Sequence, residues 1–132
     1  MERKYKIAIL DMNAGEPNEG MRCIEQLASQ FLSQKDIKGK YDVFDVRVKA
    51  EIPKLKDYDI FISSGGPGAP LVMGEAWENA YFNFLDAVLL HNLSKPKKKH
   101  LFLICHSFQL ACLHWDVAKV TKRRSTSFGI LP

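Results

Sequence analysis

Four short apolar runs alternate with stretches of helical spacing, and that order leaves few architectures open to the chain. Residues 5–11 (YKIAILD) give way to Asn13 and Gly15, as a buried strand does where it enters a loop. Residues 42–48 (DVFDVRV) carry β-branched side chains in partial alternation and precede Pro53, which predicts a second strand. Residues 59–63 (DIFIS) predict a third, stopped by Ser64-Gly65-Gly66-Pro67-Gly68, and residues 100–104 (HLFLI) a fourth that runs directly into Cys105. After the first run, Ile24, Leu27, Ala28, Phe31 and Leu32 recur at the spacing that gathers apolar side chains on one helix face, with Cys23 beside the stripe as a small core or boundary residue. Trp77, Tyr81, Leu85, Val88 and Leu89 repeat that spacing after the third run, and the pattern fades over residues 92–96. A short helix is expected from Cys105 through Trp115, and residues 117–132 carry the pattern of short strands ending in an apolar tail.

Strands alternating with helices imply crossover connections and a mainly parallel sheet, so the expected fold is α/β and flavodoxin-like, with helices on both faces. Sites in such sheets lie where the loops leave the carboxyl ends of the strands. Here those loops carry residues 13–19, residues 65–68 and Cys105. With 46% hydrophobic and 26% charged residues, 132 residues suffice for one core, and residues 1–132 read as a single domain. Lys and Arg number 19 against 15 Asp and Glu, the excess lying largely in Lys95 with Lys97, Lys98 and Lys99, and in Lys122, Arg123 and Arg124. Both clusters fall at expected turns without aromatic interleaving, so they read as solvated loops and no nucleic-acid partner is expected. No apolar stretch approaches the ~20 residues needed to span a bilayer, so no membrane role is expected. Three cysteines at irregular spacing, with no leader pattern at the start, point to a reducing cytoplasm rather than a disulfide framework. Cysteines and histidines lack paired ligand spacing, so neither a metal nor another cofactor is expected.

Cys105 stands at the junction of a buried strand and a helix, the position of a nucleophile elbow, where a sharp turn lifts the side chain above the sheet. A helix N-terminus after it favours a negatively charged sulfur. Taken alone, a cysteine there is more often packing than chemistry. The loop after the third strand alters that balance: Gly65, Gly66 and Gly68 leave the backbone uncovered, so that amide N–H groups can approach a developing oxyanion.

Together, residues 59–68 (DIFISSGGPG) and 104–110 (ICHSFQL) resemble the two signatures of class I glutamine amidotransferase domains, separated as in that family by one helix and one strand. Leu10-Asp11-Met12-Asn13 and Gly20-Met21-Arg22 look most like the stand-alone domains called GMP synthase-like. The resemblance implies that Cys105 attacks the carboxamide of glutamine, forming a γ-glutamyl thioester and releasing ammonia to an acceptor on a synthase domain or within a homo-oligomer. It implies an oxyanion hole from the amides of Gly66 and His106, and substrate contacts at Gly65 and Gln109. Three positions depart from the family pattern, with Leu103 and Ser107 where glycines are usual and Phe108 where a histidine is usual.

The family's His-x-Glu motif, which supplies the base, does not occur in these 132 residues, so the chain reads as the N-terminal part of the domain with impaired activity. His100 is placed ~16 Å from Cys105 along a strand. His114 is ~13 Å away along a helix. His91 ends a helix that returns to the amino ends of the strands, which leaves His106 as the only near histidine. Ile104-Cys105-His106 followed by Gln109 also resembles the ThiJ/PfpI superfamily, in which a glutamate from the loop after strand one assists the cysteine. Glu16 and Glu19 lie in such a loop, where acidic residues also suit a helix start. The non-enzymatic alternative is a truncated domain that keeps the fold for binding.

Overall fold

A computed structural model describes residues 1–125. Within them the elements run β1 (Arg3–Asp11), α1 (Glu19–Leu32), β2 (Ile37–Asp45), α2 (Val46–Lys49), a 3-10 turn (Leu55–Asp57), β3 (Ile60–Ser63), α3 (Ala76–Ser94), β4 (His100–Leu103) and α4 (His106–Trp115). The four strands form one sheet in the order β2-β1-β3-β4, and every neighbouring pair is parallel. This is the α/β arrangement expected, compatible with a flavodoxin-like sheet. Leu10, Ser63 and Leu103 stand in register across β1, β3 and β4, so the three carboxyl-end loops leave the sheet side by side.

Successive side chains of a strand point to opposite faces, and β1 divides accordingly. Ile7 and Ile9 pack with Met21, Ile24 and Ala28 of α1, whereas Ala8 and Leu10 join Phe61, Trp77, Tyr81, Leu85 and Leu110 beneath α3 and α4. Helices therefore cover both faces. On β4 the coverage is uneven: Leu101 and Leu103 pack against the α3 side, but Phe102 and Ile104 are exposed on the other. No helix among the described residues is long and apolar enough to cross a membrane.

Several boundaries differ from the sequence pattern. The second strand is not 42–48 but Ile37–Asp45, and Val46–Lys49 is a helical turn capped by the Asp45 carboxylate, which accepts from the Val48 amide. Alternating valines imitate a strand here, while the pairing with β1 begins earlier and passes through Gly39. A Cβ at Gly39 would lie 1.7 Å from the Tyr5 carbonyl oxygen, so only glycine fits at that point of the sheet. Leu27 is exposed although its spacing suggested the core. At 3.6 residues per turn it sits about 90° around the helix from the middle of the buried arc. Cys23 is likewise exposed rather than core or boundary, because α1 buries Met21, Ile24 and Ala28 instead. Residues 117–125 contain no strand, contrary to the expectation of short strands there, and residues 126–132 lie outside the described residues.

Candidate functional site

β4 ends at Leu103 and α4 begins at His106, so the chain must turn from strand to helix within two residues. Cys105 absorbs that turn at φ 50 and ψ −109, a conformation that costs a non-glycine residue of order 1–3 kcal/mol and persists only where surrounding structure enforces it. The enforcement is visible. The Ser107 amide donates to the Ile104 carbonyl at 3.1 Å, and the Gln109 amide to the Cys105 carbonyl at 3.0 Å, closing the first turn around the cysteine. The Cys105 side chain remains exposed.

Ser107, two residues after the cysteine, is fully buried. Its hydroxyl donates to the Ser64 carbonyl and lies 2.7 Å from the Ser63 hydroxyl, which is itself 2.7 Å from the Tyr81 hydroxyl. Burial pushes the Tyr81 phenol up, with the hydrogen bonds from Ser107 and Ser63 acting in the opposite sense. These bonds tie the start of α4 to the end of β3. Leu103 is half-buried against the α3 core, and Phe108 is exposed.

The loop after β3 lies against the same cysteine. A Cβ at Gly65 would come within 3.3 Å of the Cys105 Cβ, and one at Gly66 would lie 2.1 Å from the Met12 carbonyl oxygen. Gly66 is therefore held between two loops with no room for a side chain. Ser64 fixes the opposite side, its hydroxyl accepting from the Met12 amide at 2.8 Å. A cavity of about 550 Å³ opens over these residues and is lined by Cys105, Gly65, Gly66, Pro67, Asn13 and Glu16 among others. Loops from β1, β3 and β4 therefore meet there, as the parallel sheet leads one to expect. Glu16 is the one charged side chain in that lining, whereas Glu19 pairs with Arg22 at 2.7 Å in the first turn of α1.

Adjacent residues at the elbow face different spaces. The His106 side chain lines a separate cavity of about 260 Å³ with Arg47, Trp77, Glu75 and Glu78. Gln109 borders a third hollow with Phe108, Cys112 and residues 118–121, and does not line the Cys105 cavity. The remaining histidines are engaged elsewhere. His91 bonds the Lys97 carbonyl at 2.8 Å, His100 opens β4 at its amino end, and His114 meets Asp86 at 2.9 Å while stacking on Phe82. No histidine among the described residues lines the Cys105 cavity. Nor does any group of three His, Cys, Asp or Glu among them have a metal-binding arrangement. In the basic cluster, Lys97 pairs with Asp59, while Lys98 and Lys99 bond backbone carbonyls.

Burial first, and then the Arg47 guanidinium, hold His106 below its ordinary pKa of 6.5, with a hydrogen bond to the Gly68 backbone acting upward. An unfolded chain takes up this proton at a higher pH than the folded one, so falling pH favours unfolding. The stability of the wild type relative to a His106→Gln variant is expected to decline as pH drops through 6.5. Urea midpoints of the two proteins across that range read the effect, and a difference independent of pH would refute it.

Sequence reasoning missed Arg47, which Val46 and Val48 disguised as a strand residue. Its Nη1 donates to the Pro67 carbonyl at 2.6 Å and to the Met12 carbonyl at 3.4 Å. No family model matches the chain, and no match is found among curated proteins or solved structures.

Proposed function

We propose that the chain carries the nucleophile and oxyanion loop of a class I glutamine amidotransferase, with Cys105 as the nucleophile and glutamine as the substrate. The observation that carries this reading is the positive φ of Cys105 at the mouth of a cavity it shares with Gly65 and Gly66. The thiolate attacks the carboxamide carbon, and the carbonyl electrons move onto oxygen, where the Gly66 and His106 amides would stabilise them. Collapse breaks the C–N bond, a proton passes to the leaving nitrogen, and ammonia departs from a γ-glutamyl thioester that water then hydrolyses. Gly65, given a substrate contact by resemblance, lines the cavity with Cys105. Gln109, given that role by resemblance, would have to act from outside the cavity lining. Ammonia would pass to an acceptor on a synthase domain or a second copy of the chain. Free cysteines at positions 23, 105 and 112 fit a reducing cytoplasm as the compartment.

The ThiJ/PfpI-like alternative has one observation in its favour, the presence of Glu16 in the Cys105 lining. The direction of His106, into the other cavity, weighs against it. The non-catalytic alternative draws on the exposed Phe102 and Ile104 at β4, which is the edge strand among the described residues.

Limited iodoacetamide labelling near neutral pH, mapped by mass spectrometry, tests the proposal. Cys105 is expected to label before exposed Cys23 and buried Cys112, and L-glutamine, unlike L-asparagine, is expected to slow it. Prior labelling of Cys23 would remove the elbow assignment, and labelling indifferent to glutamine would remove the substrate.

A further inference from the structure

We infer that Arg47 is a positioning residue for the oxyanion loop, an inference that rests on reading Gly66 as an oxyanion donor to chemistry at Cys105. Two backbone carbonyls, Met12 in the loop after β1 and Pro67 in the loop after β3, accept from the same nitrogen, Arg47 Nη1. The guanidinium thereby makes one charge-assisted contact to each loop, at 3.4 and 2.6 Å. It also lies 5.3 Å from the centre of the Trp77 ring, whose indole N–H is held by Glu75. One side chain thus joins the loop after β1, the loop after β3 and the start of α3, and it borders His106 at the start of α4. The same Nη1 would lie 3.4 Å from a Cβ at Gly66, so the contact is made at the residue whose amide matters.

The arrangement is not the one that maximises stability. Among the described residues Arg47 Nε is buried without a hydrogen-bond partner, a loss of about 1–3 kcal/mol for such a group. Among the described residues Arg47 makes no ion pair, although Glu75 and Glu78 line the same cavity. Both contacts come from one nitrogen, Nη1, and what a lysine lacks is the rigid planar head, with its flat face for Trp77, that holds that nitrogen in place. What the guanidinium supplies is a fixed distance between the two loops, and with it the placement of the 65–68 backbone over Cys105.

The test compares two reactions at the same sulfur. Iodoacetamide alkylates Cys105 by displacing iodide at a saturated carbon, and no oxyanion forms. With p-nitrophenyl acetate the thiolate adds to the ester carbonyl through an oxyanion; the C–O bond then breaks, p-nitrophenolate leaves and a thioester remains, the thiol proton having passed to buffer. In the wild type, the acylation-to-alkylation ratio at Cys105 should exceed that at Cys23 by about tenfold or more, as a working oxyanion donor requires. Equal ratios would overturn the oxyanion reading itself, and the inference with it. Given the elevated ratio, Arg47→Ala and Arg47→Lys should each slow acylation about tenfold while changing alkylation less than about twofold. Acylation that is unchanged, or that falls only in proportion to alkylation, would overturn the role of Arg47 alone. Should Arg47→Ala not fold, Arg47→Lys, which keeps the stem and the charge, decides the matter.

Discussion

Replacing Gly66 by alanine or valine is expected to slow acylation of Cys105 by about 10²–10³-fold, the loss seen when an oxyanion donor is removed. The expectation has a steric origin as well as a chemical one. A Cβ at Gly66 would lie 2.1 Å from the Met12 carbonyl oxygen, a backbone atom that cannot swing aside as the end of a flexible side chain would. To accept even a methyl group, the loop must withdraw from β1 by more than an ångström, and its amide leaves the elbow with it. Thermal melting separates this from wholesale unfolding, because the sheet beneath the loop rests on Phe61 and Leu10, which the substitution does not touch. Alkylation by iodoacetamide should persist in the folded variant. If a folded Gly66→Ala protein acylates Cys105 at the wild-type rate, Gly66 has no part in the chemistry.

Much of this site was legible because its residues fall at the ends of well-marked strand patterns. Of the three glycines after the third apolar run, Gly65 and Gly66 serve a close approach and Gly68 a positive φ, and Cys105 falls between a strand pattern and a helix pattern, where the chain must turn. The parallel order followed from the alternation of 2-residue and 3.6-residue periods. What escaped reading was set by neighbours distant in sequence. Val46-Arg47-Val48 alternates as a strand does, and only the Asp45 cap, together with Met12 and Pro67, makes Arg47 a clamp between loops. Ser107 appeared as a departure from glycine, yet its hydroxyl donates to the Ser64 carbonyl and meets the Ser63 hydroxyl, which in turn meets Tyr81, within the core. His106 and Gln109 follow Cys105 closely along the chain, but the first turn of α4 points them toward other hollows. Adjacency in sequence carries no direction for a side chain.

That last point governs turnover. Glutamine hydrolysis by the 132-residue protein is expected near the uncatalysed background, and Cys105→Ala is expected to change it little. A neutral thiol is a poor nucleophile toward a carboxamide, and the leaving nitrogen must be protonated before the C–N bond breaks. Both steps call for a proton carrier within hydrogen-bond reach of the sulfur or the substrate. His106 faces Arg47 and Trp77 on the far side of the elbow, and burial beside that guanidinium disfavours its charged form. His91, His100 and His114 are fixed at other ends of their elements. Loss of one member of a catalytic triad costs about 10⁴–10⁶-fold, while oxyanion stabilisation alone leaves a residual rate above water. Ammonia release measured with wild type, Cys105→Ala, His106→Ala and Glu16→Gln distinguishes the readings. Robust turnover lost with Cys105→Ala but kept with His106→Ala would refute the absence of a working base. Turnover that also disappears with Glu16→Gln would place the proton carrier in the loop after β1, where Glu16 shares the cavity with the sulfur, and would favour the ThiJ/PfpI-like arrangement over the amidotransferase one.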